Sequence, residues 1–503
     1  MFYESTRGNF RRVFSAEAIK LGISPDGGLF VPLETVLLGG EEIEKLAGLN
    51  YRERAAFILK PYLTDFTEEE VVECVSLAYN TEKFDLPEIA PVRRLADGLY
   101  ILELWHGPTC AFKDMALTIL PHLLTRAAAK TEETATIVIL TATSGDTGKA
   151  ALEGFRDVPG TRIIVFYPEE GVSQVQKRQM VTQAGDNVAV VAVRGNFDDV
   201  QNGVKEIFAD TGFNSRLLTT GHTLSSANSI NWGRLLPQIV YYFSAYADLL
   251  AGGAIPPGSP VNLVVPTGNF GNILAAFYAR EMGLPVNRLI CAANANHVLT
   301  DFIRTGEYDR RRLFLKTASP SMDILISSNL ERLLYHLSGR DYARVRSWMA
   351  ELKEKGRYRV DELTRARIAK LFWSGFAGDA ATKETIRACY RNHGYLVDTH
   401  TAVGLNVYDQ YTAATGDATA TIVVSTASPF KFNESVTGAI LGEAAVRGKD
   451  EFSLLDILAA ESKMEIPPGL KNLDQKPVLH RDVVAREEMR EAVERILRLP
   501  AGA

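Results

Sequence analysis

Lys113 closes the segment HGPTCAFKD (106–114), where it follows a Gly107-Pro108 turn, sits beside Phe112 and precedes an apolar stretch over 115–120. Most lysines are solvated surface charges. A lysine held out of water has a lowered pKa and can condense with an aldehyde to an imine. Two glycine-bearing turns could supply the anion sites such chemistry needs. The first, Ser144-Gly145-Asp146-Thr147-Gly148, follows a β-branched run and opens a helical segment. Its N–H groups and hydroxyls suit a carboxylate at a helix N-terminus. It is not a P-loop, because Thr143 and Ala150 stand where Gly and Ser or Thr are required. The second turn, Thr267-Gly268-Asn269-Phe270-Gly271-Asn272, also opens onto a helix. It reads either as a phosphate cradle or as a tight structural turn. An imine-forming lysine and a phosphate cradle are together what pyridoxal 5′-phosphate (PLP) requires.

These residues need elements to position them. The first 98 residues read as mostly helical, over 41–46, 51–63 and 67–80, with Thr67 and Glu70 as a capping box. Beyond them strand-like runs (99–104, 134–140, 161–167, 187–193, 261–265, 288–292, 421–424) alternate with helical ones (149–156, 173–184, 197–209, 273–282, 364–372). Alternation at these lengths predicts parallel sheets wound with helices, in two α/β lobes around a ligand cleft. The expected division is an N-terminal domain over 1–98, a large lobe over 99–132 and 236–503, and a smaller α/β lobe over 133–235.

Composition excludes several classes of function. The chain has 503 residues, 46% hydrophobic and 23% charged, with net charge −6, so it lacks the basic excess of a nucleic-acid binder. Its apolar runs are interrupted, 235–250 by Gln238 and Asp248, so no membrane span is expected. Cys74, Cys110, Cys291 and Cys389 are sparse and unpaired in spacing, and the first residues show no apolar leader. A cytoplasmic protein with reduced thiols is the expectation. No His/Cys/Asp cluster has metal-ligand spacing, so no metal is expected. His106 and His400 read as structural or as acid–base groups, and Lys149 as a surface charge.

Five segments carry a resemblance: HGPTCAFKD (106–114), TATSGDTGKAAL (141–152), NSINWGR (228–234), PTGNFGN (266–272) and STASPFKF (425–432). In this order and spacing they resemble the threonine synthase family, in its longer bacterial and fungal type. PDGGLFVP (25–32) and SPSMDILISSNLERLL (319–334) look like the same family. The resemblance implies a fold-type II PLP enzyme, with two parallel-sheet lobes around the cofactor cleft, that converts O-phospho-L-homoserine and water to L-threonine and phosphate by γ-elimination and β-replacement. It implies that Lys113 holds PLP as an imine and moves protons. Gly268, Asn269, Phe270, Gly271 and Asn272 would wrap the cofactor phosphate. Thr426 matches the hydroxyl facing the pyridine nitrogen, and Asp146 stands beside the phenolic oxygen, where other relatives carry Asn. Within that frame Ser144, Gly145 and Thr147 suit the substrate carboxylate. Ser229, Asn231 and Arg234 suit its phosphate, because Arg offers a permanently charged fork; a plain helix salt bridge is the other reading of Arg234.

Two rival functions keep most of these residues. One is a phospholyase or dehydratase releasing 2-oxobutyrate and ammonia; the other is a PLP-binding protein without turnover. Ser321, Met322 and Asp323 carry no role readable from their chemistry. The chain is expected to act on a small molecule, as a monomer or homodimer, and its N-terminal part either braces the lobes or covers the cleft.

Overall fold

The cap read at Thr67 forms reciprocally: Thr67 Oγ1 accepts the Glu70 N–H at 3.2 Å, and Glu70 Oε2 accepts the Thr67 N–H at 2.8 Å. It starts the helix Glu68–Ala78, which follows helices Gly40–Lys45 and Tyr51–Leu59. The structure, a computed structural model, describes residues 1–143 and 145–500. Its N-terminal part is not helical alone. Strands β1 (Phe2–Ser5), β2 (Val13–Phe14) and β3 (Phe30–Pro32) form an antiparallel sheet in the order β2-β1-β3. The turn before β3 is held by Asp26, whose carboxylate accepts the Ser5 hydroxyl at 2.7 Å and the Gly28 N–H at 2.9 Å.

The remaining strands, in chain order, are β4 (Val92–Ala96), β5 (Leu99–Glu103), β6 (Thr136–Ala142), β7 (Thr161–Pro168), β8 (Val188–Val193) and β9 (His222–Ser225). They continue with β10 (Val261–Pro266), β11 (Val286–Ala293), β12 (Glu307–Asp309), β13 (Arg357–Arg359), β14 (Phe372–Phe376), β15 (Thr421–Ser425) and β16 (Asp482–Val484). β12 and β13 pair only with each other. The larger sheet has the order β14-β11-β10-β15-β5-β4, parallel except for its last strand. Val264 pairs with Ile290 on one side and Val423 on the other, and Ile422 with Tyr100. Every residue of β10 and β15 is buried, as expected for strands covered on both faces. The smaller sheet, β16-β8-β7-β6-β9, is wholly parallel.

Two strands fall outside the divisions expected from sequence. β4 lies before residue 99, yet it pairs antiparallel with β5 in the larger sheet. β16 lies within 236–503, yet it pairs with β8 of the smaller sheet, Asp482 opposite Val191. The following helix Met489–Leu497 buries Met489, Ala492 and Val493 in the core of that smaller sheet. No local signal in 464–500 marks this return, because the pairing partner lies about three hundred residues away.

One continuous core joins Tyr3, Phe30 and Ile58 of the N-terminal part to Ile139 of the smaller sheet and Val265 of the larger. Helix Pro237–Ala251, almost entirely buried, runs through it. Among the described residues no helix is long and apolar enough to cross a membrane. The five segments singled out for chemistry lie at or beyond the carboxyl ends of β5, β6, β9, β10 and β15. That is the end at which open parallel sheets bind ligands.

Candidate active site

The segment after β5 is fixed before it reaches Lys113. Asp114 accepts the Thr109 N–H at 2.8 Å and the Thr109 hydroxyl at 2.6 Å, closing the turn back on itself. Cys110 takes a left-handed conformation (φ 60°) inside that turn. The Phe112 N–H donates to the Thr426 carbonyl at 2.8 Å, and Ala111 bridges to Ala427. Lys113 and Thr426, far apart in the chain, are thus tied by backbone. Lys113 Nζ lies 3.5 Å from Asp146 Oδ2 and 5.2 Å above the Phe112 ring. Burial is the chief cause of its lowered pKa; Asp146 opposes the shift, while Lys431 and Arg234 add to it.

Asp146 is the most heavily held side chain of this group. Oδ1 accepts the Gln176 amide at 2.7 Å and forms an ion pair with Lys431 Nζ at 2.9 Å; Oδ2 accepts the Ser321 hydroxyl at 3.2 Å. Burial opposes its ionisation, but attraction to Lys431 and Lys113 outweighs this and holds its pKa far below the usual carboxylate range. Gly145, before it, has φ +148°, and a Cβ there would meet the Gln176 side chain at 2.6 Å. Thr143 Oγ1 accepts the N–H groups of Gly145 and Gly148, at 3.0 and 2.9 Å. The N–H groups of Asp146 and Thr147 then donate to no described residue, and Thr147 is half-buried. Ser144 lies outside the described residues. Lys149 is buried rather than on the surface, and its ammonium meets Glu153 at 3.0 Å and the Gln183 side-chain oxygen.

The turn after β10 has the features of an anion cradle. None of the five N–H groups from Gly268 to Asn272 donates to a described residue. Phe270 is left-handed (φ 65°) and buried, turning the chain into the helix Gly271–Glu281, whose macrodipole adds to those donors. Asn272 Oδ1 accepts the hydroxyls of Tyr241 and Tyr242, while its amide nitrogen is buried without a partner. The Asn269 side chain is exposed, and its carbonyl accepts the Asn329 N–H at 3.1 Å. Gly268 packs so closely that a Cβ would lie 2.7 Å from the Ser321 carbonyl oxygen. Gly268→Ala is therefore expected to displace the turn and weaken PLP retention at least tenfold, an effect of about 1.4 kcal/mol. Equilibrium titration with PLP measures it; unchanged affinity would show that the turn does not hold the cofactor.

Arg234 is buried, and its guanidinium donates to the Ala227 carbonyl at 2.8 Å. Its Nε finds no acceptor, and it pairs with no carboxylate among the described residues, so the helix salt bridge is not what occupies it. Burial pushes its pKa down to about 10. Ser229 Oγ lies 3.4 Å from Ser328 Oγ. Asn231 is tied to protein at both ends: its carbonyl oxygen accepts the Gly233 N–H at 2.8 Å, and its amide donates to the Ile19 carbonyl at 3.0 Å. Arg332, fully buried, donates to Phe30 and Ile230 carbonyls at 2.9 and 2.6 Å. Trp232 packs against Tyr3 and Tyr62 at 5.4 and 5.8 Å. Of the two roles open for the N-terminal part, these contacts make it a brace behind 229–234.

The 319–329 segment stitches the two glycine turns together. Ser321 touches Asp146 through its hydroxyl, Gly268 through its carbonyl, and His400 Nε2 through its N–H at 3.2 Å. Asn329 donates to the Asn269 and Ser229 carbonyls. Asp323 instead pins its own neighbourhood, accepting from Asn294, Asn296 and Thr317. His400 donates from Nδ1 to Asp398 at 2.7 Å, so its other nitrogen is the acceptor for Ser321. His106 lies between Asp85 (2.7 Å) and Glu103 (2.9 Å) and stacks on Trp105. Burial lowers its pKa, but the two carboxylates reverse this and raise it. That is a structural clamp. Lys431, Gln176, Thr143, Ser321 and Asn329 were given no role from the sequence; the local signal was that all but Gln176 fall within quoted motifs.

The site holds no metal-ligand cluster among the described residues. It fits PLP: a buried amine for the aldehyde, a run of unpartnered N–H groups and an orphaned amide for the phosphate, and a Thr426 hydroxyl bonded to no described residue for the ring nitrogen.

Comparison with known proteins points the same way. The family described as "Threonine synthase N terminus" matches residues 2–79, "Pyridoxal-phosphate dependent enzyme" residues 75–372, and "Threonine synthase, C-terminal" residues 401–496. Human threonine synthase-like 1 is 38% identical over 96% of the chain, which spans 63% of that relative's length. Threonine synthase of Pseudomonas aeruginosa is 41% identical over 93% of the chain and 96% of its own. The PLP-bound crystal structure of threonine synthase from Brucella melitensis superposes with a TM-score of 0.87 at 36% identity, covering 99% of this chain and 100% of that one.

Proposed function

Since the chain belongs to the threonine synthase family of PLP-dependent enzymes, we propose that it converts O-phospho-L-homoserine and water to L-threonine and phosphate. The observation that carries this reading is that a largely buried Lys113 amine of lowered pKa is linked, through Asp146 and Ser321, to the 268–272 turn, whose N–H groups donate to no described residue. Lys113 would hold the cofactor covalently, the 268–272 turn its phosphate, and Thr426 its ring nitrogen. When bound, PLP supplies the electron sink that allows carbanion character next to the substrate amine. Lys113, its pKa lowered chiefly by burial, would take and return protons at the substrate α- and β-carbons. The Thr426 hydroxyl would donate to the ring nitrogen without protonating it, which would moderate charge at the α-carbon and favour elimination and replacement.

Two anion sites orient the substrate. The free N–H groups of Asp146 and Thr147, with the Thr147 and Ser144 hydroxyls, would receive the carboxylate at the start of the helix Asp146–Phe155; Gly145, whose own N–H is held by Thr143, lets the chain turn there. Arg234, with the Ser229 hydroxyl, would receive the phosphate that leaves the γ-carbon; Asn231 holds the backbone that carries Arg234. Water then adds at the β-carbon. Four buried free thiols support a cytoplasmic location; the protein would act as a monomer or homodimer.

The test is incubation of the PLP-loaded protein with O-phospho-L-homoserine, scoring threonine, phosphate and 2-oxobutyrate together. Threonine and phosphate in equal amounts are expected. Phosphate with 2-oxobutyrate and no threonine would make the protein a phospholyase instead, and no phosphate would leave cofactor binding without turnover.

A further inference from the structure

Lys431 is a charged residue of this cluster to which the reaction above gives no role. Its side chain is fully buried, on the turn Pro429–Phe432 that follows β15. Its ammonium is committed on two sides, donating to the Thr109 carbonyl at 2.7 Å and pairing with Asp146 Oδ1 at 2.9 Å. Lys113 approaches the other oxygen of the same carboxylate, at the longer distance of 3.5 Å. One carboxylate thus stands between two lysines, and the closer one is not the lysine that would hold the cofactor.

We propose that Lys431 is a positioning residue for the reaction: by pairing with Asp146 from behind, it keeps that carboxylate aimed at Lys113 while relieving Lys113 of the duty of neutralising it. A buried carboxylate without a counter-ion is costly, and it would draw a proton onto the nearest amine. Were Asp146 to face Lys113 alone, the two would form a closed ion pair and the Lys113 amine would stay protonated. A protonated amine neither attacks an aldehyde nor accepts a proton from carbon. With Lys431 supplying the positive charge, Lys113 becomes the member of the trio that gives up its proton.

The groups around the trio are consistent with this assignment. Gln176 and Ser321 face Asp146 as uncharged donors and add no competing charge. Arg234, from the helix Trp232–Leu235, acts on Lys113 as a second cation. Asp114 and the Cys110 thiol lie near Lys431, but Asp114 is occupied by Thr109 and burial pushes the thiol up to about 12. His400 reaches the cluster only through the Ser321 N–H. The lowered pKa of Lys113 despite an adjacent carboxylate is the outcome expected of this arrangement.

The inference rests on Lys113 being the cofactor lysine, and its test does not depend on the substrate. Full-length protein freed of PLP is trace-acetylated across a pH series, and the extent at Lys113 is read by mass spectrometry; circular dichroism checks the fold. Lys431→Met is expected to raise the pH of half-labelling by about one unit, roughly a tenfold loss of free amine at neutral pH. Asp146→Asn is expected to lower it, and the double variant to return it toward wild type. An unmoved midpoint in Lys431→Met, or a double variant that stays with the single one, would overturn the proposal and leave Lys431 a packing residue. Should Lys431→Met not fold, Asp146→Asn decides: a midpoint that stays or rises overturns it equally.

Discussion

Lys113→Ala is expected to give a folded protein whose turnover is lower by about 10⁴-fold or more, since it loses both the attachment point of the cofactor and the proton-transfer group. The fold should survive, because Asp146 keeps Lys431, Gln176 and Ser321 when Lys113 is shortened. The turn carrying residue 113 is closed by Asp114 on Thr109 and by Phe112 on Thr426, neither of which uses the lysine side chain. Three measurements check this. Phosphate release from O-phospho-L-homoserine should vanish, and the absorbance of bound PLP at roughly 410–420 nm should be lost. The thermal midpoint should move by only a few degrees. A variant retaining a tenth of wild-type phosphate release would remove Lys113 from the chemistry and with it the functional reading.

The second large effect is expected at Arg234. A buried cation is normally paired, because leaving water without a counter-ion is expensive. Arg234 has one backbone carbonyl, an Nε with no acceptor, and no carboxylate partner among the described residues. Such a guanidinium is suited to an arriving phosphate, with charge-assisted hydrogen bonds of about 1.5–3 kcal/mol. Arg234→Ala should therefore lower kcat/KM by roughly 10–150-fold, mostly through KM if the bond exists equally in the bound substrate and the transition state. Arg234→Lys should recover only part, since it keeps the charge and loses the fork. The thermal midpoint should hold or rise, because the free protein loses an unneutralised buried charge. Wild-type kinetics combined with a fall in stability would mark Arg234 as a structural residue of the helix Trp232–Leu235.

Why the two substitutions differ follows from geometry. Lys113 lies within reach of a carboxylate and a second cation, so its chemistry depends on a balance of charges. Arg234 has no such balance among the described residues, and under the proposed function its counter-ion would arrive with substrate. The first variant is thus read out in kcat and in the cofactor spectrum, the second in KM.

The alternation of strands and helices, the glycine turns and the caps were legible from local pattern, because they depend on neighbours a few residues apart. The capping box at Thr67 formed as read, and strands such as 161–167 and 261–265 fell within a residue of their expected limits. Lys113 stood out because its company, a Gly-Pro turn and an apolar run, is itself local. The sense of Asp146 could not be read this way. Whether that side chain is charged depends on Lys431 and Gln176, which approach it from separate elements and leave no mark on 144–148. The same holds for the return of β16 to the smaller sheet, the brace from Ile19 and Phe30, and the Ser321 link between the turns. Composition and periodicity define which elements form and which groups are available for chemistry. Their charge states and partners arise from contacts distant in the chain, where desolvation and Coulomb attraction act through space and sequence order carries no record of them.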